Sequence, residues 1–132
     1  MTLKELSQLY YLKREIEMDQ RRLQELEAKA MPGAQAITGM PHGSNVADIV
    51  GRYAAEIADL RGIIEAKQQQ CIHERNRLER YIAGIDDSLL RQIFTYRFIS
   101  GFPWGQVADC IGGGNNAGNV KTACYRYLKQ AK

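Results

Sequence analysis

The stretch NNAGNVKTACYRYLK, from Asn115 to Lys129, gathers more chemistry than any other part of this 132-residue chain. Asn116, Asn119, Lys121, Thr122, Tyr125, Arg126 and Lys129 offer amides, hydroxyls, a guanidinium and two ammonium groups, and no acid follows Asp109. Cations of this kind neutralise phosphates, and Arg, Asn and Thr hydrogen-bond base edges in a DNA groove. Val120, Ala123, Cys124, Tyr127 and Leu128 recur between them at helical spacing, which predicts a helix with an apolar inner face and a polar outer one. Asn119, Thr122 and Arg126 fall nearest the centre of that outer face, where base edges would lie. Lys129, near the helix end, is placed for a phosphate.

Other chemistries fit less well. Gly112–Gly118 holds four glycines and two asparagines. A nucleotide-binding phosphate loop needs a strand before it and Lys-Ser/Thr after it. Here the preceding residues have helical spacing and no Lys-Ser/Thr follows. Asp86 and Asp87 are adjacent carboxylates, but with Ser88 they suit the start of a helix better than acid-base catalysis. No Ser-His-Asp, Cys-His or H-E-x-x-H set occurs. Cys71, Cys110 and Cys124 form no C-x-x-C and are an odd number, which argues against a disulfide framework. All three are read as small buried apolar groups. His42 and His73 have no ligand-like spacing to a cysteine. Neither an enzyme, nor a metal site, nor a cofactor is expected.

The charge is unevenly divided. Residues 1–85 hold 12 Lys/Arg and 12 Asp/Glu, whereas residues 86–132 hold six cations against three acids, so the whole surplus of +3 sits in the last third. A neutral scaffold with a basic tip suits a polyanionic partner. No apolar run approaches the ~20 residues of a membrane span. The charged start MTLKELSQLYYLKREIE lacks the apolar centre of a signal peptide, so a cytoplasmic protein without membrane contact is expected.

The elements that must position these groups are helical throughout. Leu9, Ile16, Leu23 and Ala30 repeat every seven residues, with Leu12 and Leu26 three beyond members of that series and Asp19 breaking the second one. This predicts a helix over residues 3–30. Residues 31–45, MPGAQAITGMPHGSN, read as a linker ending in the possible caps Ser44 and Asn45. Val50, Ile57, Ile64, Cys71, Leu78 and Ile85 repeat every seven residues in a second helix, with Tyr53, Leu60, Lys67, Glu74 and Tyr81 three beyond. Gly51 and Gly62 would let the first helix approach closely. The expected arrangement of residues 1–84 is a long antiparallel, coiled-coil-like helical hairpin, closed within a chain or between chains. In residues 85–132, Leu89, Leu90, Ile93, Phe94 and Phe98 form one apolar face, and Gly101 ends that helix. Pro103 opens a short one carrying Trp104, Val107, Ala108 and Ile111, with Pro103 at its first position. The fold class is all-α, the hairpin followed by a trihelical domain.

Within that domain the spacing suits a helix-turn-helix: small Ala108 at a close crossing, Gly112 at the turn and Val120 as the apolar anchor. Trp104 would pack the three helices. Arg97 would either brace the bundle or touch DNA. The segment DDSLLRQIFTYRFISGFPWGQVADCIGGGNNAGNVKTACYRYLK resembles small phage and prophage proteins, namely the ArpU-like transcriptional regulators, and the −35-reading domain of sigma-70 factors. Leu90, Phe94, Arg97, Phe98, Gly101, Trp104, Val107, Ala108, Ile111, Gly112, Val120 and Lys121 carry the likeness. MPHGSNVADIVGRYAAEIADL extends it weakly upstream. The resemblance implies a transcription regulator that binds double-stranded DNA, and the hairpin would supply homo-oligomerisation (a dimer first) or a surface for a partner such as RNA polymerase. A small-terminase-like packaging protein and a helical interaction protein without DNA are the alternatives. In sigma-type motifs the valine follows the alanine by ten residues, whereas Ala108 and Val120 are twelve apart. The glycines and asparagines are expected to build that longer turn through positive φ angles, with Asn115 or Asn116 capping the last helix.

Overall fold

Residues 3–30 contain neither proline nor glycine, and nothing in them interrupts a helix. In a computed structural model, which describes residues 1–30 and 43–131, they form helix α1 (Leu3–Ala30). Thr2 and Glu5 fix its start reciprocally. The Thr2 Oγ1 accepts from the Glu5 N–H at 3.2 Å, and the Thr2 N–H donates to Glu5 Oε2 at 3.4 Å. Helix α2 (Gly43–Ala83) begins three residues before the expected Val46, so Ser44 and Asn45 lie inside it. Most of the anticipated linker, with His42, lies outside the described residues. Beyond α2 come α3 (Ser88–Phe94), one π-helical turn (Thr95–Ile99), α4 (Trp104–Ile111) and α5 (Ala117–Gln130). There is no strand among the described residues.

Contacts gather the chain into two units, Arg14–Gln69 and Met1–Lys13 with Gln70–Lys132. This grouping cuts through both long helices, whereas the division at residue 84 follows a helix break.

In the unit Arg14–Gln69 most members of the seven-residue series face inward, but Val50, expected among them, is 37% exposed. Ile16, Leu26, Leu60 and Ile64 are buried, and Leu23, Tyr53 and Ile57 are half-buried. Asp19, which breaks the α1 series, meets Lys67, the first polar member of the α2 series, at 2.5 Å. Lys67 also pairs with Glu15 at 3.3 Å, and Arg61 with Glu27 at 3.5 Å. The hydrogen bond to Asp19 is the main cause that raises the Lys67 pKa above its ordinary value. A Cβ added at Gly51 or Gly62 would meet nothing within 4 Å, so neither glycine serves a close helix approach, contrary to expectation.

The other unit is built on a core that draws on every described helix. Leu6 and Leu9 from α1 and Leu78 and Ile82 from α2 join Ile85, Ile93, Phe94, Phe98, Val107, Ala108, Val120 and Cys124. Phe94 is fully buried at the middle, 5.4 Å from the Phe98 ring and edge-on to Tyr127 at 5.6 Å. Asp87 caps α3, its Oδ1 accepting from the Leu89 N–H at 2.8 Å. Leu89, expected on the apolar face, is 41% exposed, because it sits in the first turn at the edge of that face. Past Phe94 the helix widens. The Thr95 Oγ1 donates to the Arg91 carbonyl at 2.7 Å, and the Ser100 N–H reaches back five residues to the Thr95 carbonyl. Gly101, at φ 76°, then turns the chain, as only glycine does readily.

Candidate nucleic-acid interface

Helix α4 sets the base of the candidate site. Pro103, at φ −59° and ψ 155°, stands just before the helix and not at its first position as expected, and its carbonyl accepts from the Val107 N–H at 3.0 Å. Val107 and Ala108 point inward, at 0% and 2% exposure, while Trp104 is half-buried. The turn after α4 then takes three consecutive left-handed residues, Gly112, Gly113 and Gly114, with φ of 72°, 65° and 79°. A side chain at any of these would be strained. Among the described residues no non-glycine has positive φ, so the asparagines do other work. The Asn115 side-chain amide donates to the Gly112 carbonyl at 2.8 Å and ties the turn to itself. The Asn116 Oδ1 accepts from the Asn119 N–H at 2.9 Å and caps α5. The turn is thus built from glycine backbone and closed by two amides.

Helix α5 divides as its spacing predicts. Val120 and Cys124 are buried, and Ala123, Tyr127 and Leu128 are half-buried. Asn116, Asn119, Lys121, Thr122, Tyr125, Arg126 and Lys129 are all exposed. Asn116 differs from the others in that its side-chain oxygen is committed to the cap. Burial pushes the Cys124 thiol up to about 12, and nearby Arg97 offsets a part. Of the three thiols expected to be buried, only Cys124 is: Cys71 is half-buried, and Cys110 is exposed on the outer side of α4. Cys110 follows Asp109 on that outer side, whereas Val107 and Ala108 take the inner one.

A line of ring and cation contacts crosses from α4 to α5. The Arg97 guanidinium carbon lies 4.6 Å from the Trp104 ring centroid, and its Nη1 donates to the Phe102 carbonyl at 3.0 Å. Trp104 meets Tyr125 edge-on at 6.1 Å, and the Lys121 Nζ lies over the Tyr125 ring at 5.8 Å. Arg97 therefore braces the bundle through Trp104. The sequence suggests bracing roles for Arg97 and Trp104 but carries no signal for their link to Tyr125 and Lys121, which lie on another helix.

Charge pairing separates the two ends of the chain. Cations of the long helices, such as Arg61, Lys67, Arg75 and Arg77, sit in ion pairs with carboxylates. None of Arg91, Arg97, Lys121, Arg126 and Lys129 does so among the described residues. Arg91 donates instead to the carbonyls of Ile85 and Asp86. A helix face of unpaired cations and neutral hydrogen-bonding groups, without a carboxylate, attracts anions and repels none.

Among the described residues no cluster of three or more His, Cys, Asp or Glu could hold a metal ion, and no helix is long and apolar enough to cross a membrane. Comparison of the chain with models of known families, with curated proteins and with solved structures finds no match.

Proposed function

We propose that the protein binds double-stranded DNA through a helix-turn-helix formed by α4, the glycine turn and α5, with α5 entering the major groove. The observation that carries this reading is the outer face of α5. Asn119, Lys121, Thr122, Tyr125, Arg126 and Lys129 are exposed together, and its cations pair with no carboxylate among the described residues. In this reading Lys129 meets phosphate, and Asn119, Thr122 and Arg126 face base edges. Helices α1 and α2 pair as an antiparallel hairpin, which agrees with ion-pair partners that descend along α1 as they climb along α2. That hairpin supplies dimerisation or a surface for a partner such as RNA polymerase. The resemblance to ArpU-like regulators and sigma-70 domains favours a phage-derived transcription regulator.

The test is selection of bound genomic fragments, followed by titration of selected and scrambled duplexes across a salt series. Lys129→Ala should weaken binding to both duplexes and lower the salt slope by about one unit. Arg126→Ala should remove ~1–3 kcal/mol of preference for the selected site. Wild-type behaviour of both variants at every salt concentration would refute the assignment of α5 and favour a helical interaction protein. Light scattering addresses the role: a dimer agrees with a regulator, and a large ring with a packaging protein.

A further inference from the structure

A cleft of about 400 Å³ opens beside the start of α4, lined by Ser7, Tyr10 and Tyr11 of α1 with Arg97, Gly101 and Pro103. No carboxylate lines it among the described residues. Arg97 is half-buried yet has no counter-charge among the described residues, and a guanidinium withdrawn from water ordinarily has one. Its bond to the Phe102 carbonyl uses one of its five N–H groups. At the mouth of the cleft Tyr11 is 63% exposed. Gly101 keeps the floor open on the α1 side, with the Tyr10 ring 3.7 Å from where a Cβ would stand. The contacts Arg97–Trp104, Trp104–Tyr125 and Tyr125–Lys121 link Arg97 of the cleft to the outer face of α5.

We infer that this cleft binds a phosphate of the DNA backbone, so that the third turn of α1 and Arg97 extend the DNA-binding surface beyond α5. The inference rests on the DNA-binding reading above. The missing counter-charge of Arg97 is the phosphate, and the Tyr11 hydroxyl donates to it from the other wall. A backbone phosphate is sequence-independent, so the contribution is equal on every duplex.

The experiment compares wild type, Arg97→Gln, Tyr11→Glu and Lys129→Ala on selected and scrambled duplexes between 50 and 200 mM salt. Losing one phosphate contact lowers the salt slope by about 0.9, which makes the loss of affinity across that range roughly three-fold smaller. Arg97→Gln is expected to show that change on both duplexes. Tyr11→Glu sets a carboxylate at an exposed position, so it leaves the fold intact should Arg97→Gln unfold. It is expected to weaken binding at 50 mM salt more than at 200 mM. If both cleft variants match wild type while Lys129→Ala does not, the cleft is refuted and DNA binding by α5 stands. If wild type binds no duplex, both readings fall. Saturable quenching of Trp104 fluorescence by millimolar inorganic phosphate, unaffected by duplex, would assign the cleft to a free anion and overturn the inference.

Discussion

Cutting the chain at residue 84 should unfold its C-terminal part. The fragment 85–132 keeps α3, α4 and α5 but loses Leu6, Leu9, Leu78 and Ile82, which are between 0% and 5% exposed in the same core as Phe94 and Val107. Burying a Leu or Ile side chain contributes about 1.5–3 kcal/mol, so the four together contribute roughly 6–12 kcal/mol. Small domains are stable by only about 5–15 kcal/mol in total. The loss is therefore of the same size as the whole margin, and it also opens the Phe94 cluster to water. Circular dichroism and thermal melting of the purified fragment against the full chain provide the assay. The full chain should melt cooperatively, while the fragment should show weak helical signal and no cooperative transition. A cooperative melt of 85–132 with full helical signal would refute the shared core and restore a self-sufficient C-terminal domain.

Further perturbations test the site. Ala108→Leu places a larger side chain at a position 2% exposed, and should cost ~1–3 kcal/mol in denaturant unfolding. An unchanged midpoint would show that no helix crosses closely there. Asn116→Ala removes the cap oxygen of α5 and should cost about 1 kcal/mol, read from the thermal midpoint. The folded Cys124 pKa lies above its ordinary value of 9.0, at about 12, so its contribution to stability is complete below pH 9 and declines as pH rises toward 12. Cys71, also raised from 9.0, adds to that slope. Urea midpoints at pH 8, 9 and 10 should fall in wild type and fall less in Cys124→Ala.

Which parts of this were legible in the sequence follows from what each pattern encodes. The series through Ile16, Leu26, Leu60 and Ile64 identifies buried positions because a seven-residue repeat reports a face directly. It even contains its own exception, Asp19, whose partner Lys67 is the first polar member of the other series. The outer face of α5 is legible for the same reason. The identity of a buried residue's neighbours is not. Leu6 and Leu9 have spacing that suits a helical hairpin, and nothing in it says that they also meet Phe94 and Val107. The turn was legible as a turn, but Asn115 and Asn116 are chemically equivalent there, and only backbone geometry gives one the carbonyl of Gly112 and the other the cap. The wide turn at Thr95–Ile99 was hidden, since Phe94 and Phe98 are four apart in either geometry. The exposure of Cys110 is not legible, because a thiol is compatible with either side of a short helix.

The core that joins the first helix to the last has a consequence for the order in which the protein is made. Leu6 and Leu9 leave the ribosome some ninety to one hundred and twenty residues ahead of Phe98 and Cys124. At about 5–20 residues per second, that is a wait on the order of five to twenty seconds. During it, the start of α1 has no finished core to enter, and the completing contacts are among the most distant along the chain, which slows folding. The unit Arg14–Gln69 is under no such restriction, because its partners have all emerged by Gln69. Nascent chains stalled with residues 1–100 outside the tunnel should therefore protect residues 14–30 and 43–69 from protease while leaving Leu6 and Leu9 accessible. Release of the last thirty residues should then protect Leu6 and Leu9 as well.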